Sequence, residues 1–302
     1  MSEFDFTALE NISKKYRCAC ERDFVLAPLT TMEIGGKCGL FIEPNSEACL
    51  CETLKACRAG NVPLFILGKG SNILVNHYSG AVIKVGANLG GFAFDGERVT
   101  AGAGASLASL CMAAANEGLS GMECLYGIPG SVGGALYMNA GAYGSEMADV
   151  VISARCVDKD GSVIEIPLSE MALGYRKSVF SENRMVILSA TLKLKRGNIT
   201  EIKAKMSEII GRRREKQPLE FPSCGSTFKR PDGYFAAALI EECGLKGFRI
   251  GGAQVSEKHS GFVINRGGAT FEDVMAVVEH IKKTVLEQKG VELECEIISV
   301  ED

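Results

Sequence analysis

The sequence predicts an α+β protein with at least two folded regions. Three observations support this prediction: a length of 302 residues, apolar residues at helical spacing interleaved with short β-like runs, and a change of pattern near residues 197–200. A chain of this length exceeds what one hydrophobic core usually fills, so we expect it to divide. The last third is then a compact second α+β domain of about 100 residues.

The first two thirds alternate between helices and short strands. Helices are predicted over 5–22, 46–59 and 106–117; in the last two, apolar residues recur every three or four positions and a glycine follows. Short apolar runs predict strands within 65–75, 81–86 and 98–104, and alternating residues predict strands over 150–166 and 185–196. Glycine-rich loops connect many of these elements.

The last third opens with a predicted helix at about 201–216, whose final turn is basic. A helix at 235–243, a strand pair around 250–265 and a helix at 271–288 follow. The last helix begins with "TFED", a capping box, and carries an apolar stripe. A final strand is predicted over 291–300.

Composition excludes several classes of protein. The net charge of −4 argues against a nucleic-acid-binding domain, and no segment is long and apolar enough to span a bilayer. The N-terminus is polar, without the apolar region of a secretory signal. The twelve cysteines include no CxxC pair and accompany only three histidines, so we expect reduced thiols and no zinc site. The expected location is therefore cytoplasmic.

Two glycine-rich loops are candidate ligand sites. "GKGSN" (68–72) follows an apolar strand and matches neither a Walker A loop nor a dinucleotide fingerprint, so it is either a hairpin turn or a nest of backbone donors for an anion. "GIPGSVGGALYMNAGAYG" (127–144) is more specific. Its interleaved apolar residues call for burial, which argues against a flexible linker and favours a loop and helix start lying against a large ligand.

A third segment, "PSCGSTFKRPDG" (222–233), places Ser226 between a glycine and a threonine, three residues before Lys229. The segment is too rich in proline and glycine for the middle of a helix or a long strand. It is therefore either a surface turn or a loop that presents a small reactive side chain.

The two glycine loops resemble the flavin-binding domain of the vanillyl-alcohol-oxidase-like (PCMH-type) FAD proteins. Within that group, the chain is similar to the UDP-N-acetylenolpyruvoylglucosamine reductase (MurB) family. Seven ordered blocks carry the resemblance: "TTMEIGG", "LGKGSN", "GIPGSVGGALYMNAGAYG", "GYRKSVF", "RRREKQPLEFPSCGSTFKRP", "GLKGFRIGGAQVSEKHSGFVIN" and "LECEII". The short connection after "GYRKSVF" is similar to the type II form, which lacks the tyrosine loop that caps the substrate in type I.

The resemblance implies a PCMH-type FAD-binding domain of two α+β subdomains at 28–197, after an N-terminal helical segment at 1–27. A C-terminal α+β substrate-binding domain is then expected at 198–302. It also implies a UDP-N-acetylmuramate dehydrogenase of peptidoglycan precursor synthesis, which reduces UDP-N-acetylenolpyruvoylglucosamine with NADPH through FAD. Residues implied in binding FAD are Gly68, Gly70, Ser71, Asn72, Gly127, Pro129, Gly130, Ser131, Gly133, Gly134, Asn139 and Gly141.

Three catalytic residues follow from the resemblance. Ser226 is the implied proton donor to the enolate carbon of the substrate, a role for which a serine needs a dry site and a nearby cation such as Lys229. Arg176 has the planar fork that grips a carboxylate, whereas an arginine at such a position is otherwise usually solvated. Glu296 is the implied acid beside it, chosen over Glu294 because it directly precedes a β-branched residue.

Cations are expected to bind the substrate diphosphate. Arg213, Lys216 and Lys229 flank the Ser226 loop, although a basic helix end is equally expected to be solvated. Tyr175, Gln254 and His259 are further polar candidates for the substrate site.

Two other interpretations remain open. The first is another FAD oxidoreductase of the same superfamily, acting on a hydroxy acid or an alcohol. Many of these attach FAD covalently; no histidine lies in the glycine loops, which argues for non-covalent FAD, while linkage through cysteine stays open. The second is a non-catalytic nucleotide-binding module, which would not need Arg176, Ser226 and Glu296 together.

Overall fold

The computed structural model describes residues 4–302 and divides into two compact units. Unit 1 comprises the described residues up to Asp23, Gly39–Lys69 and Ser79–Gly211; unit 2 comprises Phe24–Cys38, Gly70–Tyr78 and Arg212–Asp302. Each unit is assembled from segments distant in sequence. The continuous domains at 28–197 and 198–302 stay predictions, and residues 1–3 of the predicted N-terminal segment lie outside the described residues.

The elements of the first half follow in chain order. They are α1 (Thr7–Tyr16), β1 (Ala19–Val25), β2 (Lys37–Glu43), α2 (Glu47–Ala59), β3 (Leu64–Leu67), β4 (Ile73–Val75), β5 (Tyr78–Lys84), β6 (Phe92–Asp95), β7 (Arg98–Gly102), α3 (Leu107–Asn116), β8 (Leu119–Ser120), α4 (Val132–Tyr137), β9 (Gly141–Ala142) and β10 (Ser145–Glu146).

The second half continues the same mixture of helices and strands. It contains β11 (Val151–Val157), β12 (Val163–Pro167), α5 (Val179–Glu182), β13 (Val186–Lys193), β14 (Lys195–Arg196), α6 (Ile199–Lys216), α7 (Ala236–Glu242), β15 (Arg249–Ile250), β16 (Ala253–Val255), β17 (Val263–Asn265), α8 (Phe271–Lys289) and β18 (Ile298–Val300).

Unit 1 holds the two larger sheets. One has the strand order β1-β2-β5-β3, with β3 and β5 parallel. The other is antiparallel, with the order β12-β11-β13-β7-β6. A single apolar core runs through the unit and includes fully buried Leu40, Leu54, Leu107 and Leu136. The helix α4 packs within this core, which places the 127–144 loop at its edge.

Unit 2 builds its core on α8. The buried face of α8, which includes Val274, Val278 and Ile281, packs with β16 and β17 residues around a second apolar cluster. Strand β18 pairs in parallel with β4, so the end of the chain lies beside the segment that follows the "GKGSN" loop. This pairing brings Asn72 and the C-terminal residues together.

Local sequence signals account for the best-predicted helices. Ser46 caps α2, its hydroxyl accepting the N–H of Cys49 at 3.3 Å, and Gly60 follows the helix. At the start of α8, Thr270 and Asp273 exchange side-chain bonds with each other's N–H groups, and left-handed Gly290 ends the helix. Both helices match their predicted ranges within one residue.

Two predicted elements are wrong in extent. The helix predicted over 5–22 ends at Tyr16, because Arg17 takes a left-handed φ of 54° and the N–H of Cys18 bonds the carbonyl of Ser13; a strand follows. The final strand is limited to Ile298–Val300. The residues before it instead bond the segment that carries Ser226, through isolated backbone contacts rather than a regular ladder.

Within residues 4–302, no helix combines the length and the apolar character that a membrane span requires. No group of three or more His, Cys, Asp or Glu side chains in the same range is arranged to hold a metal ion. All twelve cysteines are free thiols.

Candidate active site

Ser226 lies exposed on a loop whose neighbours are buried. Cys224 and Thr227 are 3% and 1% exposed, and Gly225 between them takes a left-handed φ of 78°. The Cys224 thiol donates to the carbonyl of Ile73 at 3.0 Å. The Thr227 N–H donates to the carbonyl of Gly261 at 2.8 Å, and its hydroxyl accepts the N–H of Val263 at 3.0 Å. The loop is thus fixed on both sides of the serine, which itself faces solvent.

Glu296 lies beside this loop. Its N–H donates to the carbonyl of Thr227 at 2.9 Å, and the N–H of Lys229 donates to the carbonyl of Glu294 at 2.8 Å. Phe228 and Cys295 form the antiparallel bridge between these two bonds. Two of the three predicted catalytic residues, Ser226 and Glu296, are therefore brought together within unit 2, one on each of two paired segments.

The "GKGSN" loop contributes to the same arrangement. The side-chain amide of Asn72 donates to the Glu296 carbonyl at 3.1 Å. The Gly70 carbonyl accepts the N–H of Thr31 at 3.0 Å, and the Thr31 hydroxyl donates to the carbonyl of Ser223 at 2.7 Å. Thr31, Asn72 and Thr227 thus bond the backbone of the segments that carry Ser226 and Glu296, which the sequence did not reveal. Thr31 belongs to the "TTMEIGG" block, which was the available signal.

Lys229 forms an ion pair with Glu294. The lysine side chain is about one-third exposed, while that of the glutamate is largely exposed. The predicted assistance of Lys229 to Ser226 stays a prediction. An ammonium group held by an exposed carboxylate is able to exchange that partner for a ligand anion at small cost, because surface ion pairs contribute little.

The second glycine loop lies in unit 1 as expected, with α4 starting inside it. Ser131 is buried and caps α4, its hydroxyl accepting the N–H of Gly134 at 3.3 Å. The N–H of Gly133 donates to the carbonyl of Ala103 at 2.9 Å, and a Cβ on Gly133 would lie 2.8 Å from the Ala103 Cβ. Close packing inside the protein, in addition to any ligand, therefore requires glycine at 133.

The same loop meets the start of "GKGSN". A Cβ on Gly68 would lie 2.9 Å from the Ser131 hydroxyl, so the two glycine segments are in contact within unit 1. Lys84 donates to the Gly68 carbonyl, and Lys69 donates to the Ser106 hydroxyl at 2.8 Å. Gly70, Ser71 and Asn72 belong to unit 2.

Lys69 and Lys84 form a pair of like charges at these loops. Burial lowers the pKa of the Lys84 ammonium; the Glu43 carboxylate opposes this in part, and the nearby Lys69 contributes a smaller lowering. Two ammonium groups beside glycine backbone suit a bound diphosphate, because its negative charge would offset the repulsion between the two lysines. The residues present therefore fit the diphosphate of FAD. Neither lysine was predicted, although Lys69 lies inside the "GKGSN" motif.

Arg176 lies at the tip of a tight hairpin in unit 1. Gly174 and Lys177 exchange two backbone hydrogen bonds, of 3.1 and 3.2 Å, across Tyr175 and Arg176. Arg176 takes a left-handed φ of 56°, and its guanidinium carbon lies 5.1 Å from the centre of the Tyr175 ring. Tyr175 is 53% exposed. Both predicted side chains are thus presented together by one turn.

Asn139 is fully buried, as Ser131 is, whereas Ser71 and Asn72 are only half-buried. Its amide donates to the Gly174 carbonyl at 3.0 Å, and its side-chain carbonyl accepts the N–H of Ala148 at 3.0 Å. Gly141 pairs with Glu146 in the β9–β10 hairpin. Both hydrogen bonds of the Asn139 side chain are therefore made to backbone groups of the protein.

The remaining candidates lie in unit 2. Gln254 lines a cavity of about 290 Å³ together with Phe221, Lys258 and Arg266, and its amide donates to the Gly247 carbonyl at 3.0 Å. Arg213 and Lys216 lie on the last turn of α6, Arg213 half-buried and Lys216 exposed. His259 accepts the N–H of Gly261 at its Nδ1 atom, 3.2 Å away, and burial lowers its pKa.

Comparisons with known proteins agree with this arrangement. Residues 39–167 match the family model of an FAD binding domain, and residues 217–300 match that of the UDP-N-acetylenolpyruvoylglucosamine reductase C-terminal domain. A protein of that name from Clostridium perfringens is 50% identical over 266 residues, 87% of each chain. One from Caldanaerobacter subterraneus is 47% identical over 270 residues, 89% of each chain.

A solved structure gives the same result for the fold. The UDP-N-acetylenolpyruvylglucosamine reductase (MurB) of Thermus caldophilus is 34% identical, covers 94% of this chain and 100% of its own, and superposes with a TM-score of 0.81. The predictions of an α+β fold, an FAD-binding domain and a flavin-dependent enzyme are confirmed. The chain therefore belongs to the UDP-N-acetylenolpyruvoylglucosamine reductase family.

Proposed function

We propose that this chain reduces UDP-N-acetylenolpyruvoylglucosamine to UDP-N-acetylmuramate, with NADPH as electron donor and FAD as the bound hydride carrier, and that Ser226 is the proton donor. One observation carries the residue assignment: Ser226 is exposed on a loop that hydrogen bonds fix on both sides, next to Glu296. When bound, FAD supplies the hydride chemistry, accepting a hydride from NADPH and delivering one to the enolpyruvyl group.

Ser226 then completes the reduction. Addition of a hydride to the terminal carbon leaves negative charge on the neighbouring carbon and in its carboxylate. The Ser226 hydroxyl gives its proton to that carbon, so that one hydride and one proton are added across the double bond. Solvent returns a proton to the serine. The fixed backbone of residues 224–228 supports this role because it holds the serine in place. Within residues 4–302, no other group competes for the Ser226 hydroxyl through a hydrogen bond.

Arg176 and Glu296 act on the substrate carboxylate in this proposal. A guanidinium stabilises the charge that spreads into the carboxylate as the enolate forms, and its planar fork matches both oxygens. The support is the tight hairpin that presents Arg176 and Tyr175 on its tip. Glu296 is supported by its backbone bonds to Thr227 and Asn72, which place it beside the serine.

The cationic side chains fall into two groups, one for the diphosphate of FAD and one for that of the substrate. Lys69 and Lys84, at the contact of the two glycine loops, would hold the diphosphate of FAD without a covalent link. Arg213, Lys216 and Lys229, which lie on α6 and after the Ser226 loop, are proposed to bind the diphosphate of the substrate. Because its substrates are nucleotides of the cell interior, we propose a cytoplasmic enzyme, which fractionation of the producing cells tests.

The experiment follows the flavin absorbance through two anaerobic additions. NADPH is expected to bleach the yellow protein, and UDP-N-acetylenolpyruvoylglucosamine is expected to restore the colour with formation of UDP-N-acetylmuramate. Ser226→Ala should bleach like the wild type and recover its colour at least about 10³-fold more slowly, the upper part of what one proton donor contributes. Ser299→Ala, an exposed serine of the same unit, is the matched control and should behave like the wild type.

A protein that bleaches with NADPH but is not reoxidised by the enolpyruvyl nucleotide would retain the family and lose the proposed reaction. Recovery of colour in Ser226→Ala at the wild-type rate would remove the serine from its role and leave the reaction standing.

A further inference from the structure

We propose that Asn139 is a positioning residue for Arg176, because it fixes the hairpin that presents the guanidinium to the substrate carboxylate. The inference deepens the proposed function and rests on it for the role of Arg176. It changes the role expected for Asn139 from a contact with FAD to a support of the substrate site.

The side chain of Asn139 connects two segments of unit 1. Its amide group donates to the carbonyl of Gly174 at 3.0 Å, and its oxygen accepts the N–H of Ala148 at 3.0 Å. The residue is 0% exposed and takes a left-handed φ of 41°, a conformation that asparagine tolerates better than most residues. A buried asparagine that uses both ends of its amide in this way has one orientation available to it.

Gly174 is the first residue of the Arg176 hairpin. Its N–H and carbonyl both pair with Lys177, so its carbonyl accepts from Lys177 and from Asn139 together. Arg176 follows two residues later in a left-handed conformation, which leaves the backbone little freedom to compensate for a shift of Gly174. The position of Asn139 therefore determines where the guanidinium is presented.

A second bond anchors the other side of the hairpin. The Ser178 hydroxyl donates to the carbonyl of Tyr137 at 2.6 Å, at the end of α4. Asn139 lies two residues beyond Tyr137, so both anchors join the hairpin to the same short stretch of chain. Since this stretch continues into the "NAGAYG" part of the glycine loop, the segment assigned to FAD and the segment that carries Arg176 are joined by direct hydrogen bonds within unit 1.

Asn139→Asp tests the bond to Gly174 selectively. The carboxylate still accepts from Ala148 but no longer donates to the Gly174 carbonyl. We expect the reoxidation of reduced flavin by UDP-N-acetylenolpyruvoylglucosamine to slow at least 10-fold, while the bleaching by NADPH changes less than twofold. Asn116→Asp, the same change at an exposed site of unit 1, controls for the added charge.

A double-mutant cycle distinguishes positioning from a general loss of structure. If Asn139 acts through Arg176, Asn139→Asp slows reoxidation less than twofold when Arg176→Ala is already present. Effects that multiply in the double variant would overturn the proposal, since two independent losses behave in that way.

Hydrogen–deuterium exchange gives a measurement that needs no substrate, so it stands even when the proposed reaction fails. The amides of Gly174 and Lys177 should exchange at least 10-fold faster in Asn139→Asp, with the strands β11 and β13 unchanged. Unchanged exchange at these two amides would also overturn the proposal. Should Asn139→Asp not fold, Ser178→Ala removes the second anchor and is subjected to the same cycle and the same exchange measurement, with the same expected and contradicting results.

Discussion

The side-chain amide of Asn72 donates a hydrogen bond of 3.1 Å to the backbone carbonyl of Glu296, and the carbonyl of Asn72 accepts the N–H of Ile298 at 3.0 Å. These bonds fix the backbone around Glu296 on one side, and the bond from the Glu296 N–H to the Thr227 carbonyl fixes it on the other. A residue expected to contact FAD is therefore also part of the support of the proposed acid. In each glycine loop an asparagine side chain therefore bonds a segment that carries a residue assigned to the substrate, Glu296 in one case and Arg176 in the other.

Asn72→Asp is expected to slow substrate reduction about 10-fold. The carboxylate has the size of the amide but cannot donate to the Glu296 carbonyl, and one lost hydrogen bond of about 1.4 kcal/mol corresponds to that factor. The measurement is the rate at which the enolpyruvyl nucleotide reoxidises the reduced flavin, with FAD content checked by absorbance. The Asn116→Asp variant again controls for charge. A variant that loses FAD yet reacts normally when FAD is resupplied would contradict the support role.

Much of the fold follows from short-range signals. The helices α2 and α8 were predicted within one residue because their caps and their apolar spacing lie in the same few residues. The helix predicted over 5–22 was too long, since its last residues from Ala19 onward belong to β1. Arg17, with a left-handed φ of 54°, separates helix from strand, and no glycine signals the change.

The site was predicted less completely, for a physical reason. Ser226 and Glu296 are 70 residues apart, and their proximity arises from backbone bonds of Thr227 and Lys229 that any residue type can make. The resemblance of the motifs identifies Ser226 and Glu296, whereas their spacing in the sequence does not indicate that they lie together. Lys84 was missed because nothing around it in sequence indicates a ligand; only its burial next to Lys69 and Gly68 does so.

Gly70→Ala is expected to destabilise the protein far more than Gly96→Ala. The two glycines have nearly equal left-handed φ angles of 64° and 61°. A Cβ at 70 would lie 2.2 Å from the backbone oxygen of Leu29, while a Cβ at 96 meets nothing within 4 Å. Gly96→Ala should reduce the free energy of unfolding by about 1 kcal/mol, the penalty of the left-handed conformation, and Gly70→Ala by at least about 3 kcal/mol. Urea unfolding followed by circular dichroism measures both, and similar losses would show that the Leu29 contact relaxes freely.

Cys224 should make the protein less stable in alkaline solution. Burial raises the pKa of its thiol from 9.0 to about 12. Because the folded-state pKa is above the unfolded one, the stabilising contribution is complete below pH 9 and decreases as the pH rises from 9 towards 12. At pH 10 the loss is on the order of 1 kcal/mol.

Urea unfolding of the wild type and of Cys224→Ala at pH 8 and pH 10 isolates this contribution. The variant loses the apolar contacts of the thiol at both pH values, and other titrating groups cancel in the comparison. The free energy of unfolding of the wild type should therefore fall more between the two pH values than that of the variant. An equal fall in both proteins would exclude Cys224 as a source of alkaline instability.

Protonation of His259 at acid pH is expected to affect the Ser226 loop. Burial lowers the pKa of its imidazole below 6.5, and its Nδ1 atom accepts the N–H of Gly261 only when that nitrogen carries no proton. Gly261 in turn accepts the N–H of Thr227, next to the serine. Since the folded-state pKa is depressed, the stabilising contribution is complete above pH 6.5 and is lost as the pH falls through the lower folded-state value.

The free energy of unfolding, measured in urea from pH 7.5 to 5, should therefore decrease more steeply in the wild type than in His259→Gln. The rate of flavin reoxidation is expected to decline at acid pH in the wild type and to decline less in His259→Gln, and identical pH profiles would separate this histidine from the loop.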